Sequence, residues 1–167
     1  MTVRTRLLVG MVLAPVLWGV ACHDNDGPTA APIPPGVEAL RASLAPYSSL
    51  QLAKDAGYAT AITDCMSNGD EGAMGVHFGN VALIDGVADA LHPEVLVYEP
   101  GQGSSMSLVG VEFVVPFAIA PRTGAPPTLF GQSFVQNDVF GLWTLHVWTH
   151  RANPSGLFAS WNPRVHC

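Results

Sequence analysis

A carboxylate set within an apolar run is the first place to look for chemistry. Glu112 stands inside Leu108-Val109-Gly110-Val111-Glu112-Phe113-Val114-Val115-Pro116. On an extended strand it shares a face with Gly110 and Val114, while Val111 and Phe113 take the other, so both faces read as apolar. Burial disfavours a charged carboxylate that has no partner. Arg41 and Lys54 fall in predicted helices, which leaves histidine or a metal ion for Glu112. His77, in Met74-Gly75-Val76-His77-Phe78, and His146, in Trp143-Thr144-Leu145-His146-Val147-Trp148, have equally apolar surroundings. Two histidines and a carboxylate from three strands form a facial ligand set with open positions, suited to one divalent transition metal such as zinc, copper or non-haem iron. Three readings stay open: a metal site, a hydrogen-bond network without metal, or unrelated positions. The choice depends on whether the three strands are neighbours.

Other templates fail on their residues. His146 and His150 make an HxxxH pair, yet Val147 stands where a zinc protease places its glutamate. On a strand, four residues span about 13 Å, too far for one ion, so His150 is read as a rim residue. His23, His92 and His166 are read as solvated. Asp70 and Glu71 are adjacent turn residues and point apart. The chain has no CxxC, no Gly-x-Ser-x-Gly and no phosphate-cradling Gly-x-x-x-x-Gly-Lys. Trp143, Trp148, Phe158 and Trp161 are read as core rather than as the lining of a ligand pocket. With 7 Lys+Arg against 13 Asp+Glu and no polybasic stretch, the chain lacks a nucleic-acid-binding surface.

The elements that must position the trio can be traced along the chain. Val37, Leu40 and Leu44 have helical spacing up to Pro46, and Ser48 or Ser49 can cap a second short helix that Gly57 stops. Strands are predicted over 58–65, 75–80, 94–99, 106–115 and 142–150, where β-branched and aromatic residues concentrate. Asn68-Gly69 is a turn, and Pro100 to Ser105 is the loop of a hairpin between the strands holding Val95–Tyr98 and Leu108–Val115. Pro121 to Pro127 is a breaker region. The expectation is an α+β fold, with short N-terminal helices followed by an antiparallel β-meander in one domain over 37–167.

The N-terminus reads as an address. Arg4 and Arg6 precede a short apolar stretch interrupted by Pro15, too short to span a bilayer, and residues 1–21 fit an export signal. The ending Trp18-Gly19-Val20-Ala21-Cys22 resembles the lipobox of bacterial lipoproteins, with Gly19 in place of the usual leucine. That resemblance implies acyl chains on Cys22 and a membrane as partner. Residues 22–36, with four prolines between positions 28 and 35, form a tether that cannot bury a core. The processed chain would keep five basic and thirteen acidic residues, a balance of −8. Attachment would therefore depend on lipid rather than on attraction to anionic headgroups.

Three cysteines leave one odd thiol in an exported protein. Lipidation of Cys22 accounts for it and frees Cys65 and Cys167 to pair in an oxidising compartment, closing the domain. From about Leu50 to Cys167, the stretches around Gly72–Phe78, Pro93–Glu99, Val111–Pro116, Leu145–Trp148 and Asn153–Gly156, together with Trp161-Asn162-Pro163, are similar to a family of uncharacterised exported bacterial proteins. The resemblance implies export and a single domain and supplies no mechanism. The expected function is a cell-envelope protein binding a metal ion or small ligand at His77, Glu112 and His146. The alternatives are a structural lipoprotein or a mononuclear-metal enzyme.

Overall fold

The chain opens with two short helices, α1 (Val37–Ser43) and α2 (Leu50–Asp55), joined by a single 3₁₀ turn over Ala45–Ser48. The computed structural model describes Met1 and residues 32–167. The Ser49 hydroxyl accepts the Leu52 N–H and caps α2. Gly57, at φ 104°, turns the chain out of the helix in a conformation that side chains resist. Cys22, His23 and the export signal expected before them lie outside the described residues.

Eight strands follow: β1 (Thr60–Ser67), β2 (Ala73–Gly79), β3 (Val95–Pro100), β4 (Met106–Pro116), β5 (Thr128–Leu129), β6 (Gln132–Ser133), β7 (Val135–Asn137) and β8 (Leu142–Val147). Six of them make one antiparallel sheet in the order β1-β2-β3-β4-β8-β7, and β5 and β6 pair separately. The expected meander holds through β4. The chain then leaves the sheet for the β5–β6 hairpin and returns so that β8, not the next strand in sequence, lies against β4. The helices are 7 and 6 residues long, so the fold is mostly antiparallel sheet with a few short helices, and the α+β expectation overstated the helical share. Sequence spacing marked the helices well, but such short pieces are held by packing on the sheet rather than by their own propensity.

The sheet has two unlike faces. On one, Phe78, Leu96, Tyr98, Val111, Phe113 and Leu145 pack against Val37, Leu40, Leu44, Ala53 and Tyr58 from the helical segment. Two hydroxyls pin that layer: Tyr58 donates to the Pro93 carbonyl at 2.8 Å and Tyr98 to the Tyr47 carbonyl at 2.6 Å. On the other face, alternate residues of the same strands place Thr63 opposite His77, His77 opposite Val97, Val95 opposite Glu112 and Glu112 opposite His146. Part of this second face is closed by a smaller cluster of Ala73, Val97, Val109, Trp148 and Val165.

This second face is concave. Three strand spacings separate β2 from β8, about 14 Å in a flat sheet, yet His77 and His146 meet across it at 3.2 Å. Glycine on the inner surface allows the curl. A Cβ on Gly75, whose φ is 101°, would stand 2.6 Å from the Tyr98 carbonyl oxygen, and one on Gly110 would stand 2.8 Å from that of Val147. The pairing of β3 with β4 shifts between Val97 and Tyr98, which adds local bend.

Cys65 and Cys167 form the expected disulfide, with Cα atoms 5.5 Å apart, and tie the C-terminus to β1. A bridge of this kind belongs to an oxidising compartment. The same end is held by Glu99, which accepts the His166 backbone N–H at 3.0 Å and pairs with Arg151. Among the described residues no helix is long and apolar enough to cross a membrane.

Candidate metal centre

Antiparallel register sets the three side chains in place. Glu112 and His146 are direct cross-strand partners on β4 and β8. His77, on β2, reaches them over β3, where Val95 and Val97 present short side chains. One donor atom from each of the three lies within 4.8 Å of the others. His77 Nε2 is 3.2 Å from His146 Nε2 and 3.8 Å from Glu112 Oε2, and His146 Nδ1 is 3.4 Å from Glu112 Oε1. All three residues are buried.

Neighbouring groups orient the rings. His77 Nδ1 is 2.9 Å from the Thr63 hydroxyl oxygen, and the His146 ring stacks on Trp148 with 19° between planes. With His77 Nδ1–H donating to Thr63 and His146 carrying its proton on Nδ1, both Nε2 atoms turn lone pairs toward the same point. A hydroxyl that fixes the outer nitrogen of a histidine, as Thr63 does for His77, is a usual support of a metal ligand. Two nitrogen ligands about 2.05 Å from one tetrahedral ion stand about 3.3 Å apart, close to the 3.2 Å separation of these two. Without a cation, two facing lone pairs repel, and one Nε2 must carry a proton and donate to the other.

Electrostatics favour neutral rings. Burial pulls His77 down to about 4, against an opposing pull from the Glu112 charge, and burial alone pulls His146 down to about 4. Burial raises Glu112, with the His77 ring and the Thr144 hydroxyl acting the other way. Among the described residues no lysine or arginine pairs with Glu112. Arg41 is engaged by Glu38 and the Thr149 carbonyl, Lys54 lies over the Phe78 ring, Arg122 meets Asp138 and Arg151 meets Glu99. The cluster thus offers two neutral nitrogen donors and an acid with no lysine or arginine beside it among the described residues, a set compatible with metal binding.

The remaining histidines stand apart. β8 ends at Val147, three residues short of the predicted strand end, because Trp148 N–H turns away to the Leu157 carbonyl. His150 is exposed, its ring beside the Thr149 hydroxyl. His92 pairs with Asp89 at the surface, and His166 is exposed. Asp70 and Glu71 lie in an exposed turn. Trp143 and Trp148 are buried in the two apolar clusters, while Phe158 stacks on Phe130 and Trp161 is half-buried.

Sequence reasoning missed the groups around the trio. Thr63 and Thr144 flank the ligands, and Ile62, Met66, Met74, Val139 and Phe140 help form a cleft above them. One signal was available: Gly75-Val76-His77-Phe78 and Gly110-Val111-Glu112-Phe113 repeat a Gly-Val-x-Phe pattern, with glycine two residues before the polar group and on its face. No family model, curated protein or solved structure matches the chain.

Proposed function

We propose that this protein holds one divalent transition metal at His77, Glu112 and His146, on the concave face of an exported, disulfide-closed domain. The observation that carries the reading is the 3.2 Å approach of two buried Nε2 atoms beside a buried carboxylate that, among the described residues, no lysine or arginine neutralises. Burial keeps both imidazoles neutral, the state in which a metal accepts them. The ligands come from one side of a curved sheet and face a cleft, so a coordination position is left toward it. Elemental analysis of protein purified without added metal is expected to find one equivalent, and Glu112→Gln and His146→Ala should each lose it. Wild-type protein that neither contains nor takes up metal, with His77 and His146 sharing a proton in its imidazole NMR signals, would establish the hydrogen-bond network instead.

The apolar, arginine-led N-terminus and the ending at Cys22 support a lipid-anchored placement, with the membrane as partner through acyl chains. Cys22→Ser is expected to move the protein from the membrane fraction to the soluble one. A wild type already soluble after export would show plain secretion.

A further inference from the structure

We propose that the cleft above the metal centre admits a small amphiphilic acid, with an apolar body in the cleft and a carboxylate on the open side of the metal. This rests on the metal reading above and names what that site would bind. The cleft has a volume of about 340 Å³ and descends onto His77, Glu112 and His146. That is the small end of the range for ligand pockets, roughly 300–1,000 Å³.

The walls select the body. Met66 and Met74 stand in the lining along with Leu142 and Phe140. Ile62, Val135, Val139 and Phe140, which also line it, are exposed at 40%, 55%, 87% and 46%. Large apolar side chains gathered around one opening mark a surface that an apolar occupant covers.

Charge selects the head. A divalent ion with one carboxylate and two neutral imidazoles leaves a single positive charge at the floor, where low dielectric makes an unpaired charge costly. A monoanionic oxygen donor cancels it, and a neutral alcohol does not. Among the described residues no lysine or arginine lines the cleft, so the head has the metal as its cationic partner. Asp138, the acid in the lining, is engaged by Arg122 at 3.3 Å and does not add an unanswered negative charge.

The test uses full-length protein loaded with cobalt(II), titrated calorimetrically with octanoate, acetate and 1-octanol while the cobalt absorption is followed. Octanoate is expected to bind at least about tenfold more tightly than acetate, because it buries a chain that acetate lacks. It should also bind about tenfold more tightly than octanol and shift the cobalt bands. Val139→Asn removes apolar surface from the rim without adding charge, and should weaken octanoate about tenfold while keeping the metal and leaving acetate, which has no chain to place there, little changed. Octanoate no tighter than acetate overturns the apolar body, octanol as tight as octanoate overturns the anionic head, and octanoate binding that leaves the cobalt spectrum unchanged overturns the contact with metal. Each of those results leaves the metal centre standing. Protein that takes up no metal overturns both readings, and does so in the elemental analysis, before any acid is added.

Discussion

The two faces of the one sheet are built from alternate residues of the same strands, yet they do different work. Phe113 goes to the face covered by helices, where it is fully buried among aliphatic and aromatic neighbours, and Glu112 beside it goes to the concave face. The covered face is mostly apolar, and its Tyr58 and Tyr98 hydroxyls are satisfied by backbone carbonyls. The concave face gathers His77, Glu112, Thr144 and His146 beneath a cleft and so carries polar groups that apolar packing would avoid. Stability and chemistry are thus separated by the period of two of a β-strand rather than by distance along the chain.

The largest expected effect breaks the covered face alone. Phe113→Ala should cost about 3–5 kcal/mol of unfolding free energy, the usual range for deleting a buried aromatic ring. Metal content per folded molecule should be unchanged. Denaturant unfolding beside elemental analysis checks both, and loss of metal at conditions where the variant is folded would mean the faces are coupled.

Next in size is the effect of metal itself. A ligand that binds the folded state stabilises it by about 2.7 kcal/mol at a free concentration 100 times its dissociation constant. Wild type should gain that much on addition of zinc, whereas Glu112→Gln and His146→Ala should gain nothing. Thermal or chemical unfolding with and without zinc gives the comparison. Equal gains in all three would place the bound metal elsewhere.

A third prediction addresses the curl that joins the faces. In Gly110→Ala the new Cβ would stand 2.8 Å from the Val147 carbonyl oxygen, so β8 must shift away from β4. The expected cost is about 1–3 kcal/mol, as for overpacking. The shift should also move His146 from Glu112 and weaken zinc binding more than it weakens the fold. Unchanged affinity would show that the ligands adapt without the curl.

The sequence carried the concave face's ligands more clearly than its architecture. A charged residue in an apolar run is a local contradiction, and Glu112 was visible for that reason, as were two histidines in similar runs. The β3–β4 hairpin was legible because its turn residues lie between two β-branched stretches. What stayed hidden depends on non-local contacts. The pairing of β8 with β4 is settled by long-range packing, β5 to β7 are only two or three residues long, and the curl comes from several glycines acting together. The two short helices, by contrast, were legible from Pro46, the Ser49 cap and Gly57.

The smallest predicted effect concerns a second buried carboxylate. Glu94 precedes β3 and is 1% exposed; its Oε2 accepts the Val114 N–H at 3.1 Å, and its Oε1 has no partner. Burial raises it to about 7, backbone hydrogen bonds work against that rise, and the charges of Asp85 and Asp89 add to it. The Tyr58 hydroxyl beside it stays protonated because burial raises that group too. Between 4.5 and about 7 the folded protein binds a proton on Glu94 that the unfolded chain has released. This contribution to stability is therefore complete below the unfolded value and is lost as pH rises through the folded one. The depressed His77 and His146 act with the opposite sign, but between about 4 and 6.5. The difference between wild type and Glu94→Gln, both with metal bound, cancels the histidine contribution and isolates Glu94. Relative to Glu94→Gln, wild type should lose roughly 0.8 kcal/mol between about pH 6.5 and 8. Glu94→Gln, which keeps an oxygen for Val114 and supplies an amide N–H in place of the acid proton, should not share that loss. Identical pH profiles for the two proteins would mean that Glu94 is ionised in the folded state, and that the buried polar cost of this sheet lies with the His77, Glu112 and His146 cluster.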